Sequence, residues 1–178
     1  MNQTSATLMV AVCDQLVCIK INGRANFTSS LDLKKLVTEL WEHGYSRFLF
    51  DLGDCVTMDS TFLGVLSGIG LKFSDGQENP CHGLELINPN PRISEVLENL
   101  GVVHLFKIVK SAGPVAEKFE PLAEMENVSK TEVTRTCLEA HKLLMSLNPE
   151  NVRKFKDVTQ FLAEDLKRLE LNGTSSGC

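Results

Sequence analysis

A carboxylate and a hydroxyl stand side by side at Asp59 and Ser60, where a hydrophobic run gives way to a predicted helix. The pattern predicts a strand at 47–52, an acidic loop at 53–57 and a helix that opens within 58–66. Backbone N–H groups and the helix dipole gather at such a first turn and stabilise anions. A serine at this position can cap the helix, act as a nucleophile or carry a phosphate.

The nucleophile hypothesis finds no support in the sequence. The elbow pattern G-x-S-x-G is absent, because Met58 and Phe62 occupy the glycine positions around Ser60. The phosphate-cradling patterns G-x-x-x-x-G-K-S/T and G-x-G-x-x-G after a strand are absent too. No motif relates Ser60 to the histidines, which are His43, His82, His104 and His141. We therefore predict a protein that is not an enzyme, with no catalytic residue and no cofactor.

The stretch from Met58 to Leu66 resembles the phosphorylation-site motif of STAS domains, the fold shared by anti-sigma factor antagonists and the cytoplasmic tails of sulfate transporters. The antagonists typically read Asp-Ser-Ser/Thr-Gly-Leu-Gly after a strand. Here the motif is matched by Asp59, Ser60, Thr61, Leu63 and Gly64, with Phe62 in place of a glycine. The run 93–101 followed by 103–108 is similar to the family's closing helix and final short strand. The resemblance covers roughly residues 5–112.

The resemblance implies a regulatory protein-binding module that works by partner switching. In the antagonists, the matching serine is phosphorylated by a partner anti-sigma factor that is a serine kinase, and a metal-dependent serine phosphatase resets the switch. The unphosphorylated form binds the kinase and frees the sigma factor. Ser60 is therefore the expected phosphoacceptor, ahead of Thr61. The expected partner-binding residues are Asp59, Ser60, Thr61, Phe62 and Asn26.

Several alternatives remain open at these residues. Ser60 could be only a helix cap, in a non-phosphorylated STAS scaffold or in a subunit associated with ligand or lipid transport. Phe62 either points into the core or blocks a partner's close approach to the backbone. Asn26 stands where antagonists often have an acidic residue, and a simple turn residue is at least as good an interpretation.

The first 112 residues show the order strand, strand, helix, strand, helix, strand, helix, strand. This order predicts an α/β fold, with an N-terminal hairpin, then parallel strands, and helices packed on a mixed sheet. The hairpin strands are 7–13 and 16–21, and the next helix is capped by Ser29 or Ser30 and ends at Gly44.

The middle of this region carries two further predictions. The glycines of the Ser60 helix, which are Gly64, Gly68 and Gly70, indicate close packing on the sheet, since each costs about 1 kcal/mol relative to Ala in a helix. A turn is predicted at 75–80, a strand at 83–88 and a helix that begins at Pro91.

The run 111–114 predicts a boundary between an α/β domain at 1–112 and a linker with a helical extension at 113–178. Beyond the boundary the pattern predicts helices only. A capping box begins at Ser129, and Asn148-Pro149 restarts the chain into a second helix, so that the two form an αα-hairpin with a frayed tail from Asn172. Two amphipathic helices cannot bury both apolar seams alone. The hairpin must therefore cap the α/β domain, form a homodimer or bind a partner protein.

Composition narrows the class of protein. The net charge of −5 over 178 residues, without a basic patch, argues against nucleic acid as a partner. The six cysteines lack C-x-x-C spacing, and no His pair completes a zinc pattern. The chain also lacks a signal-peptide pattern and an apolar run long enough for a membrane span. These features predict a cytoplasmic protein with reduced thiols and no bound metal.

Overall fold

The computed structural model describes residues 4–74, 83–111 and 116–174. In chain order its elements are β1 (Thr7–Cys13), β2 (Leu16–Ala25), α1 (Phe27–Glu42), β3 (Arg47–Asp51), β4 (Cys55–Met58), α2 (Ser60–Ser74), β5 (Gly83–Ile87), α3 (Pro91–Asn99), β6 (Lys107–Val109), β7 (Glu120–Pro121), α4 (Lys130–Leu147) and α5 (Glu150–Thr174). The turn predicted at 75–80 and the domain boundary predicted after residue 112 lie outside the described residues, as do Cys81, His82 and Cys178.

The described strands form one mixed sheet in the order β6-β5-β3-β2-β1-β7, and β4 lies beside the end of β2. β1 and β2 make the predicted antiparallel hairpin through a turn at Asp14 and Gln15, where Asp14 adopts a φ of 54°. β2, β3, β5 and β6 then run parallel to one another. The predicted α/β class and mixed sheet are confirmed.

The main core lies between the sheet and helices α1, α2 and α3. Alternating side chains of the strands point into it, so that Val17, Ile19 and Ile21 of β2 are buried there while Cys18 faces the other way. The opposite face of the sheet has a smaller apolar cluster, and Ala116 and Phe119 pack against it. Both faces of the sheet are therefore covered, as expected for parallel strands.

The edge of the sheet next to α2 differs from the prediction. β2 does not end at Ile21 but continues to Ala25, and the predicted loop at 53–57 contributes most of the short strand β4. The pairing of β2 with β4 shifts register between Gly23 and Arg24, and Gly23 has a φ of 95°, which favours glycine. This irregularity lets one strand pair with β3 along its first half and with β4 at its end.

Helix α1 begins earlier than predicted. Its N-cap is Asn26, whose Oδ1 accepts hydrogen bonds from the backbone N–H groups of Thr28 (3.1 Å) and Ser29 (3.2 Å). Ser29 completes a capping box, because its Oγ accepts from the N–H of Asn26 at 3.0 Å. Ser30 instead donates to the carbonyl of Phe27. Neither predicted serine is therefore the cap itself.

Two elements of the later chain also differ from the prediction. The expected strand at 103–108 is a 3-10 turn, Val103–Leu105, followed by β6. The segment after residue 115 is not purely helical, because β7 pairs with β1 in antiparallel fashion.

The helical hairpin forms where predicted. Ser129 Oγ accepts from the N–H of Glu132 at 3.1 Å, and Asn148 Oδ1 accepts from the N–H of Glu150 at 3.1 Å. The second helix is longer than expected, since α5 continues through Asn172 to Thr174.

The hairpin folds back on the α/β domain of its own chain, which is one of the three arrangements left open. α4 packs against α2 and α1, with Ala140 and Leu144 in the main core. The fully buried Asn151 donates from Nδ2 to the carbonyls of Leu100 (2.9 Å) and Leu144 (2.8 Å), which ties the α4–α5 turn to the end of α3. Homodimer formation through the hairpin stays a prediction.

No helix within the described ranges combines the length and the apolar character that crossing a membrane requires.

Candidate functional site at the start of α2

Asp59, not Ser60, is the residue that caps α2. Its Oδ1 accepts from the backbone N–H of Phe62 at 2.8 Å, and its carbonyl accepts from the N–H of Leu63 at 3.0 Å. The other carboxylate oxygen, Oδ2, accepts from the N–H of Phe27 at 2.9 Å. One carboxylate therefore joins the first turns of α1 and α2, where both helix dipoles stabilise its charge. Ser60, the first residue of α2, is left with a hydroxyl that the cap does not need.

The Ser60 hydroxyl lies against a histidine of the C-terminal hairpin. Ser60 Oγ is 2.8 Å from His141 Nε2, and His141 Nδ1 is 2.6 Å from the carbonyl oxygen of Cys137. A carbonyl can only accept, so Nδ1 carries a proton, and in the singly protonated ring Nε2 accepts from the serine hydroxyl. His141 is 6% exposed, and its ring packs edge-on against Phe155 of α5 at 5.0 Å.

Sequence reasoning missed this contact because the two residues are 81 positions apart. A weak signal was present. His141 lies four residues after Cys137 and next to Ala140, both on the apolar seam predicted for this helix. A histidine on a seam that must be buried needs polar partners, and Ser60 and the Cys137 carbonyl supply them.

Thr61 and Phe62 point inward. Thr61 is 6% exposed and lies near the Cys137 thiol, whose pKa is raised mainly by burial while the Thr61 side chain acts in the opposite direction. Phe62 is completely buried in the main core. Of the two placements open for Phe62, the structure shows the one in the core. The side chains of both residues are turned away from an approaching partner in this conformation.

Asn26 lies at the same edge of the sheet as Asp59. The N–H of Asp59 donates to the carbonyl of Ala25 at 2.9 Å, which sets the ends of β2 and β4 next to each other. The Asn26 side-chain oxygen is occupied by the α1 cap and by the Ser5 hydroxyl at 2.8 Å. The structure thus brings Asn26, Asp59 and Ser60 together, with Asn26 in a structural role.

The glycines of α2 allow close approach, but the neighbour is not the sheet. A Cβ on Gly64 would lie 2.5 Å from Ala140 Cβ and 2.6 Å from the Ala140 carbonyl oxygen, so the backbones of α2 and α4 are in contact there. A Cβ on Gly70 would lie 2.8 Å from the Phe106 ring. Close packing is confirmed, whereas the predicted packing partner was wrong.

The arrangement can hold and move a proton between Ser60 and His141, as in a nucleophile and base pair. α4 itself covers the serine, so the pair lies within a helix–helix contact.

The nearby acidic side chains are already engaged, since Asp54 pairs with Lys20 at 2.7 Å and Asp51 accepts from the N–H of Gly53 at 3.0 Å. Within the described residues, no group of three or more His, Cys, Asp or Glu side chains could hold a metal ion.

Comparison with known proteins identifies the family. A family model of the STAS domain matches residues 7–113, and the chain therefore belongs to the STAS domain family. The match ends before α4, so His141 and the hairpin lie beyond it. A comparison with curated proteins gives no match.

Solved structures show the same fold. One is a protein of Thermotoga maritima assigned as an anti-sigma factor antagonist, with 24% identity and a TM-score of 0.51 over 58% of this chain and 85% of that one. Another is an anti-sigma factor antagonist from Mycobacterium paratuberculosis, with 15% identity and a TM-score of 0.51 over 61% of this chain and 88% of that one. At these identities the likeness shows the fold alone, and it confirms the predicted STAS-like architecture.

Proposed function

We propose that this protein is a regulator of the anti-sigma factor antagonist type, which binds a partner through the start of α2 and loses that partner when Ser60 is phosphorylated. The observation that carries the proposal is the placement of Ser60 at the first position of α2, beside a cap made by Asp59. The proposed partners are an anti-sigma factor that is also a serine kinase and a metal-dependent serine phosphatase. The protein acts by binding rather than by catalysis.

Electrostatics support a switch that leaves the fold intact. A phosphate adds about 1.5 to 2 negative charges. The N-terminus of α2 stabilises such a group by about 0.3–1 kcal/mol. A docked partner does not tolerate it, because the carboxylate of Asp59 is adjacent and further negative charge in a desolvated interface costs several kcal/mol. The change is local and needs no rearrangement of the sheet.

Burial favours Ser60 over Thr61 as the phosphoacceptor. Ser60 is partly exposed, whereas Thr61 is only 6% exposed. The alternative in which Ser60 is only a helix cap loses its basis, because Asp59 accepts the N–H of Phe62 that an N-cap must satisfy.

Phosphosite mapping tests the proposal. The protein is incubated with ATP and each serine kinase encoded in the same genome, and the products are digested and analysed by mass spectrometry. We expect one phosphate on Ser60, which disappears in Ser60→Ala and remains in Ser94→Ala, the matched change in the first turns of α3. Absence of phosphate on Ser60 with every candidate kinase would refute the proposal.

A second candidate function, ligand sensing, is favoured by a cavity of about 270 Å³ between α1, α2 and α4. Its walls include Trp41, Ile69 and Leu143, together with Lys72 and with Lys34, which pairs with Glu139 of the same wall at 3.2 Å. An apolar molecule whose anionic head reaches Lys72 would match these side chains. Native mass spectrometry of the purified protein should then show a co-purified mass. Wholly ligand-free protein, unchanged on addition of a medium-chain fatty acid, would exclude this candidate.

A further inference from the structure

We infer that the face of α2 that carries Ser60 is an interaction surface with two competing occupants, the chain's own helix α4 and the external partner. α4 is then an internal cover, which must leave before a kinase or partner reaches Ser60 and which a phosphate on Ser60 expels. This inference rests on the function proposed above. It adds a regulatory role for the hairpin, which lies beyond the STAS family match.

Successive turns of α4 hold the cover in place. His141 bonds the Ser60 hydroxyl, Cys137 lies near Thr61, and Ala140 contacts the backbone at Gly64. The single helix α4 therefore covers Ser60, Thr61 and Gly64 on α2. A protein that is to dock on the same residues must displace α4.

A phosphate does not fit under the cover. The 2.8 Å separation of Ser60 Oγ and His141 Nε2 leaves no space for a phosphorus atom and its oxygens between them. Moving the helices apart to make room would break the backbone contact between Gly64 and Ala140 one turn away.

The cover is tethered, so its release is reversible. The segment before α4 is fixed to the domain by the pairing of β7 with β1 and by Asp32 Oδ1, which accepts from the N–H of Met125 at 2.9 Å. α4 is thereby kept at high effective concentration near its docking face. The other end of α4 is held by Asn151 Nδ2, which donates to the carbonyl of Leu100 at 2.9 Å, so this bond must also break when α4 leaves.

The first test needs no kinase. Phosphoserine is installed genetically at position 60 of the full chain, and in a matched control at position 94 in the first turns of α3. Amide hydrogen exchange is then followed along the chain. We expect phosphoserine at 60, and not at 94, to speed exchange in α4 by roughly tenfold or more while β2 and β3 stay protected. Unchanged exchange in α4 would overturn the inference, and so would loss of protection in β2 and β3 as well.

The second test locks the cover shut. Thr61→Cys places a thiol beside Cys137, and oxidation closes a disulfide between α2 and α4 that peptide mapping verifies. We expect the kinase found above to phosphorylate Ser60 in the oxidised form of this variant at about one tenth of the rate in the reduced form, or more slowly still. Equal rates in the two forms would contradict the cover. Absence of phosphorylation in both forms would instead count against the proposed function, while the exchange experiment still decides the cover.

Discussion

At the scale of single residues, the neighbours Asp59 and Ser60 have different roles at the start of α2. Asp59 satisfies backbone N–H groups of two helices, and Ser60 meets His141. A cap and a phosphoacceptor make different demands on a side chain, because a cap must stay bonded to the backbone whereas an acceptor must be able to leave its contact. The division of tasks makes the two roles separable by substitution.

Substitution at Asp59 tests the cap. Asp59→Ala should destabilise the fold by about 2 kcal/mol, because the backbone N–H groups of Phe27 and Phe62 lose their acceptor. Asp59→Asn keeps an acceptor oxygen and should lose less than half of that. Urea unfolding measures both, with Ser60→Ala as the control expected to cost about 1 kcal/mol or less. A larger loss of unfolding free energy for Ser60→Ala than for Asp59→Ala would show that Ser60, and not Asp59, caps α2.

Substitution at His141 tests the contact with Ser60. His141→Ala should cost about 2 kcal/mol, since the Ser60 hydroxyl loses its acceptor and the ring leaves a gap beside Phe155. His141→Gln retains an acceptor on a side chain of similar reach and should recover part of the loss. Equal stability of wild type and His141→Ala, measured by urea unfolding, would show that the contact contributes nothing.

At the scale of elements, the hydrophobic periodicity of the sequence predicted the long helices and the central strands well. It missed β4 and β7, since strands of four and two residues are too short to show a period and depend on pairing with distant strands. It placed the α1 cap at Ser29 or Ser30, because Asn26, Ser29 and Ser30 are all capable caps and only the tertiary structure selects among them.

The packing of α4 on α2 leads to an element-scale prediction. Gly64→Ala should destabilise the protein by about 1–3 kcal/mol, although Ala favours helices, because its Cβ would lie 2.5 Å from Ala140 Cβ. Gly173→Ala near the end of α5 is the control, since a Cβ there meets nothing within 4 Å, and it should be neutral or slightly stabilising. Urea midpoints compare the two variants. A Gly64→Ala protein more stable than wild type would mean that α4 does not pack against this glycine.

At the scale of the whole molecule, the α/β class followed from the order of elements, whereas the candidate site did not follow from sequence alone. The motif located Ser60, Asp59 and Thr61. The position of His141 depends on how α4 packs on α2. Contacts such as that between Gly64 and Ala140 determine this packing, and they exist only in the folded chain. A local pattern cannot report a contact across 81 residues.

Buried thiols give the whole fold a pH dependence. Burial raises the pKa of Cys18 and of Cys55 from 9.0 to about 11. Between these values the unfolded chain loses its thiol protons before the folded chain does, so stability should fall as the pH rises from about 9 to about 11. The double variant Cys18→Ala, Cys55→Ala should show a shallower fall, and Cys13→Ala, which removes only a contribution smaller than burial to the raised pKa of Cys18, should change the fall far less. Identical slopes of unfolding free energy against pH in all three proteins would contradict this.

In the function that we propose, the charge on Ser60 decides whether a partner binds. This claim is tested most directly by the affinity of the full chain for the kinase that phosphorylates it, measured by calorimetry with serine and with phosphoserine at position 60. We expect binding roughly a hundredfold weaker for the phosphorylated chain, as a buried like-charge contact of a few kcal/mol requires. Equal affinity of the two forms would contradict it.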